Sequence, residues 1–145
     1  MANISKVTNS KFKDNRFKAF VNIMYTANWL SNKQVLFFKP FDISPQQHNI
    51  LRILRGAGEP LKVQTVKERM IERAPNVTRL MDKLISKELI ARKACKTDRR
   101  VVHINITKKG LALLKDIDVV FNSDILEQIT QEEAEQLSNL LDKIR

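Results

Sequence analysis

The residue pattern changes its period once, at Leu89, and this change restricts the fold more than any other feature of the chain. Before it, Val77, Leu80, Met81, Leu84 and Ile85 recur at a spacing that a helix gathers on one face. After it, Ile90 and Ala94, then Val102, Ile104 and Ile106, occupy one side of an alternating pattern, while Val101, His103 and Asn105 occupy the other. That alternation is the mark of a half-buried strand pair. The polar, basic segment Lys96-Thr97-Asp98-Arg99-Arg100 separates the two strands and forms the tip of a hairpin.

The segments on either side complete the outline. Val63, Val66, Lys67, Met70 and Ile71 predict a short helix, and Pro75 suits the first turn of the next one, giving a helix-turn-helix candidate. Upstream, Ser44 caps a helix with Pro45 in its first turn, Gln47 closing a capping box, Ile50, Leu51 and Leu54 inward, and Gly56-Ala57-Gly58 as the stop. A longer helix carries Phe17, Phe20, Val21, Ile23, Met24, Ala27, Trp29 and Leu30 on a broad apolar face and ends at Lys39-Pro40. Downstream, Thr107 caps a helix with Leu111, Leu114, Ile117, Phe121 and Ile125 on a stripe. Thr130 and Glu133 then form a capping box before Ala134, Leu137, Leu141 and Ile144. The expected fold is mainly α with a small β-hairpin wing: a winged helix-turn-helix over residues 44–109, and helices over 1–40 and 110–145. The outer helices carry more apolar surface than one small core needs, so they are expected to form a dimer interface.

Composition agrees. A chain of 145 residues fits one domain, and three glycines with four prolines favour helices over tight hairpins and leave little for a glycine-cradled nucleotide site. A single cysteine, Cys95, excludes an intrachain disulfide and a Cys-rich zinc cluster, and points to a reducing compartment, the cytoplasm. The N-terminal stretch is too charged for a signal peptide, and the longest apolar run, Val35 to Phe38, is far short of a membrane span. No cofactor is implied. The net charge of +10 is segregated: +5 over residues 1–51, +10 over 52–109 and −5 over 110–145. A polyanion is therefore the expected partner, and the middle segment its contact.

Specific residues follow from the helix-turn-helix reading. With Val77, Leu80, Met81 and Leu84 inward, Asn76, Thr78, Arg79, Asp82 and Lys83 point elsewhere. The N-terminal part of a second helix of this kind enters the major groove, where Asn76 suits adenine, Arg79 a bidentate pair with guanine, and Thr78 a thymine methyl or a phosphate. Lys83 would neutralise backbone charge. At the hairpin tip Lys96, Arg99 and Arg100 add positive charge, and an arginine there can enter the minor groove. Asp98, repelled by phosphate, would pair with a neighbouring arginine and hold its orientation. Each of these residues alone equally fits an ordinary solvated face.

Thr97-Asp98-Arg99-Arg100, with the following strand and Thr107-Lys108-Lys109-Gly110, resembles the wing signature of MarR-type transcriptional regulators, an Asp-x-Arg followed by an alternating strand and a Thr-x-x-Gly helix start. Val77 to Leu84 is similar to that family's recognition helix. The resemblance spans nearly the whole chain and implies a cytoplasmic homodimer with interlocked terminal helices, Arg100 as the minor-groove arginine and Asp98 as its partner. It also implies a small aromatic or phenolic effector between the helical and winged regions, where Tyr25, Trp29 and His48 are conceivable lining residues and equally plain core. The chain departs from the family at Ile71-Glu72-Arg73-Ala74-Pro75, where many members have a glycine-containing turn and a serine cap. It departs again at Glu88, where the usual glycine is missing; either the left-handed conformation is avoided or a cost of about 1 kcal/mol is accepted. Cys95 sits in the wing strand rather than near the N-terminus, where peroxide-sensing relatives carry theirs, and reads as a small hydrophobe.

The expected function is a sequence-specific DNA-binding transcriptional regulator, a repressor, that recognises a pseudo-palindromic operator as a homodimer and is released by a small ligand. A winged helix serving RNA or protein contacts is the alternative. An enzyme is not expected, since His48 and His103 have no metal-ligand spacing and no nucleophile elbow or Walker loop is present.

Overall fold

The computed structural model describes residues 3–124 and 126–145. Helices α1 (Ile4–Val7) and α2 (Asn15–Phe38) lead through one tight turn, Lys39–Phe41, into α3 (Pro45–Ala57). Strand β1 (Leu61–Lys62), α4 (Val63–Arg69) and α5 (Val77–Ser86) follow, then β2 (Ile90–Ala94), β3 (Val102–Ile106), α6 (Lys108–Asp124) and α7 (Gln131–Asp142). The mainly helical winged-helix architecture read from the periodicity is the one observed. Both expected capping boxes are present: Ser44 with Gln47, and Thr130 with Glu133. No helix among the described residues is long and apolar enough to cross a membrane.

The core is a single cluster. Ile50, Leu51 and Leu54 of α3 meet Val66 of α4, Val77, Met81 and Leu84 of α5, Ile90 and Ile104 of the sheet, and Leu114 and Ile117 of α6. Phe38, fully buried at the end of α2, joins this core, with half-buried Phe37 packed against it. Ile125, expected on the α6 stripe, lies outside the described residues.

Several local expectations are corrected. The hairpin gains a third strand, in the antiparallel order β1-β3-β2, and α1 precedes the first long helix. Two and four residues respectively are too few to leave a periodic trace. Helix α5 begins at Val77, so Pro75 lies in the preceding turn rather than in the first helical turn. Ile71 is 82% exposed, because α4 stops at Arg69 and extended backbone at Met70 swings the next side chain outward. Ala94 keeps its predicted side of the hairpin opposite Val102, but both are exposed where the strands extend past the helical layer.

The junction after α5 shows how the chain resolves its missing glycine. Glu88 adopts φ 59°, the left-handed region, so the conformational cost is accepted. The N–H of Glu88 donates to the Ile85 carbonyl at 2.9 Å and that of Leu89 to the Leu84 carbonyl at 3.0 Å, which closes a Schellman cap. Thr107 then binds the same turn: its hydroxyl donates to the Glu88 carbonyl at 2.7 Å, and its N–H to the Leu89 carbonyl at 3.1 Å. Its hydroxyl also accepts from the Gly110 N–H at 3.1 Å, so it caps α6 as expected. A Cβ on Gly110 would stand 2.2 Å from the Leu89 carbonyl oxygen, so only glycine fits this approach. Replacing Glu88 by glycine should therefore raise stability by about 1 kcal/mol, whereas Gly110→Ala should lower it by about 1–3 kcal/mol. Urea denaturation of both variants checks the pair, and a destabilised Glu88→Gly or a neutral Gly110→Ala would contradict this account of the junction.

Candidate nucleic-acid interface

Helix α5 buries Val77, Met81 and Leu84 and leaves Thr78, Arg79, Asp82 and Lys83 exposed. Asn76 occupies the N-cap position, and its exposed side chain makes no cap bond, so it projects from the leading end of the helix. Arg79 and Lys83, one turn apart, share a face. The helix is held from behind by Gln47, a buried side chain at the start of α3. Its Oε1 accepts from the Ser44 N–H at 2.9 Å, and its Nε2 donates to the Leu80 carbonyl at 3.4 Å. One residue thus caps α3 and anchors α5.

From the side, α5 is held by an ion pair between Asp82 and Arg92 of β2. Arg92 lies opposite Ile104, on the sheet face that packs against the helices, so the guanidinium reaches α5 while staying exposed. This contact was not foreseen; an arginine at an inward position of the alternating strand was the available sign of it.

At the wing tip Lys96, Arg99 and Arg100 are all exposed. Asp98 has a different partner from the one expected. Its carboxylate accepts from the Arg100 main-chain N–H at 2.9 Å and its carbonyl from the Val101 N–H at 3.1 Å, so it shapes the turn. It is absent from the ion pairs among the described residues. A carboxylate two residues upstream closes an Asx turn more readily than it immobilises the mobile end of an arginine. Half-exposed Cys95 lies with its Sγ 3.1 Å from the Thr97 hydroxyl. That contact, followed by the main-chain N–H groups of Thr97 and Asp98, pulls its thiol pKa below the ordinary value.

The residues considered for an effector do not converge on one cavity. His48 is buried between Phe38 and Phe121, with ring centroids 4.3 and 5.4 Å away. It borders a cavity of about 110 Å³ together with Gln34, Asn49 and Arg52. Trp29 borders a separate, more apolar cleft of about 350 Å³ with Leu30, Leu36 and Phe37, and Lys33 Nζ stands 4.7 Å from its ring centroid. Gln34 and Phe121 line both cavities, and Tyr25 lines neither. Arg55 of α3 pairs with Asp118 of α6 at 2.6 Å beside them.

Fold and exposed face together define a winged helix-turn-helix with a free second helix and a cationic wing. The comparisons with known proteins agree. A sequence model of the MarR family matches residues 43–102. The HTH-type transcriptional regulator MhqR of Bacillus subtilis (strain 168) is 33% identical over 105 residues, which cover 70% of this chain and 72% of that protein. Among solved structures, a MarR transcription factor from Planctomyces limnophilus superposes with a TM-score of 0.69 at 29% identity, covering 92% of this chain and 98% of that one. A mutant MarR from E. coli complexed with operator DNA shares the fold, with a TM-score of 0.75 at 21% identity over 92% and 99% of the two chains. The chain belongs to the MarR family of transcription regulators, whose members are DNA-binding regulators and not enzymes.

Burial pushes the His48 imidazole down to about 4, with a smaller push from Arg52 that Asp118 partly opposes. The imidazole is therefore neutral in the folded protein at pH 7, while the unfolded chain takes up a proton near the ordinary value of about 6.5. Folding stability should be unaffected above pH 6.5 and fall as the pH drops from 6.5 towards 4, by at most about 3 kcal/mol. Denaturant melts of the wild type and His48→Leu at pH 7.5 and 4.5 check this. The variant should lose much of the acid sensitivity, and parallel losses in the two proteins would contradict the assignment.

Proposed function

We propose that this chain is a cytoplasmic repressor of transcription that binds a pseudo-palindromic operator as a homodimer. In this reading residues 44–109 contact the DNA and residues 1–40 and 110–145 join the two copies. The observation that carries the dimer is α2: of its 24 residues only Phe38 is buried, while Phe17, Phe20, Met24, Trp29 and Leu36 are exposed. Helix α7 has no buried residue and exposes Leu137 and Leu140. Apolar faces of this extent on a regulator of DNA are covered economically by a second copy.

Two copies related by a two-fold axis would present two α5 helices about one helical turn apart to successive stretches of major groove. Asn76, Thr78 and Arg79 read base edges, Lys83 neutralises phosphate, and Lys96, Arg99 and Arg100 carry the wing into the minor groove. Asp98 orients Arg100 by fixing the backbone of the tip. A small aromatic or phenolic ligand releases the operator by binding better to a dimer whose α5 spacing does not fit DNA. The cavity beside His48 supports this, since it lies where α2 and α6 meet the winged region, and the cleft beside Trp29 adjoins it between α2 and α6.

Point variants separate these roles in binding assays across a range of salt. Arg79→Ala should relax preference at particular base positions. Lys83→Ala should weaken every duplex alike and reduce the salt slope by about 0.9 per protomer. Arg100→Ala should lose most of its duplex affinity, whereas a winged helix holding RNA through diffuse charge would barely respond. Equal effects from all three substitutions on every sequence would overturn the assigned readout.

A further inference from the structure

The side of the three-stranded sheet that faces away from α5 carries a row of cationic and basic groups left unused by the contacts described above. Lys62 of β1 and Lys93 of β2 both stand directly opposite His103 of β3, one on each side, so the three side chains line up across the sheet. Lys62 and Lys93 are exposed and His103 is half-buried. Ion pairs among the described residues engage Arg55, Lys87, Arg92, Lys109 and Arg145, and none of the three. The row therefore carries positive charge that no ion pair among the described residues engages, although Glu59 borders a cavity with Lys93, in the segment where the chain's basic excess peaks.

We infer that Lys62, His103 and Lys93 form a second phosphate-binding surface, which holds the DNA backbone on the flank beyond the wing. This inference rests on the DNA reading proposed above. Its direction comes from the sheet: Arg92, on the opposite face, is tied to Asp82 of α5. With α5 in the major groove and the tip in the adjacent minor groove, the cationic row looks along the duplex, away from the groove that α5 fills. The two lysines are two strand spacings apart, about 10 Å, so side chains of this length can reach separate phosphates. The imidazole between them can donate an N–H to a phosphate oxygen. Such contacts carry no base information and add affinity that depends on salt and on flank length.

The test uses the full chain and two duplexes carrying the same selected site, one ending at the site and one extended by about ten base pairs, one helical turn, on each side. The wild type should bind the extended duplex several-fold more tightly, with a salt slope per protomer steeper by about 1.8 for two added contacts. Lys62→Ala/Lys93→Ala, both at exposed positions, should match the wild type on the short duplex and show no gain from the flanks. Lys143→Ala serves as a charge control and should keep the gain. No flank effect in the wild type, an undiminished gain in the double variant, or an equal loss on both duplexes would overturn the inference. Arg100→Ala reports separately on the parent reading, because it should fail on both lengths; unchanged binding there would refute the wing's role, whatever the lysines do.

Discussion

The arrangement of this molecule depends on one close approach, that of Gly110 to the carbonyl of Leu89. The carbonyl oxygen lies 2.2 Å from where a side chain on Gly110 would begin, and it accepts from the Thr107 N–H at 3.1 Å. At this point the end of α5, the first strand of the wing, the return strand and the start of α6 converge. The left-handed residue Glu88 turns the chain sharply enough for β2 to start beside the helix it has just left. Because the turn is bonded both to α5 and to Thr107, the wing cannot swing freely against the helix. The Asp82–Arg92 pair adds a second tie farther out. A rigid relation between helix and wing lets two weakly selective contacts act as one, since neither has to be ordered anew on binding.

The second coupling lies at the opposite end of the core. Phe37 and Phe38 of α2 meet Phe121 of α6 at ring separations of 5.1 and 5.5 Å, and His48 of α3 joins the same cluster. Arg55 and Asp118 bind α3 to α6 alongside. The part of the chain with few buried residues, α2, is thus fastened to the winged region through one aromatic knot at its last turn. A shift of α2 or α6 has a short mechanical route to α3 and, through Gln47, to the Leu80 carbonyl of α5. Both clefts lie against this knot, where a small change in packing reaches α5 by the shortest route.

Much of this was legible in the sequence because it was written in periods and caps. The stripes of α3 and α5, the middle of the α6 stripe at Leu114 and Ile117, the alternation of the wing and both capping boxes each rest on local rules that the tertiary structure did not override. Leu111, at the start of α6, is instead exposed. What escaped was short or long-range. Helix α1 and strand β1 are below the length at which a period can be seen. The start of α5 moved past Pro75 because proline fits a turn as well as a first helical turn. Ile71 was drawn inward by its spacing, although the helix ends two residues before it. Asp98 was placed on the wing tip and Arg92 was given no role, because the partner of each depends on which backbone group or carboxylate lies nearest in space. At the candidate interface the exposed residues were readable as a set, because the buried positions Val77, Met81 and Leu84 fix which side of the helix faces away from the core.

The central claim is that two copies of this chain grip one duplex through paired α5 helices. Sequencing the duplexes that the purified protein retains from a random pool, at moderate salt and without added small molecules, tests it most directly. The account predicts enrichment of an inverted repeat whose half-sites are centred about 10 base pairs apart. Recovery of no preferred sequence, or of a single unpaired half-site, would contradict it.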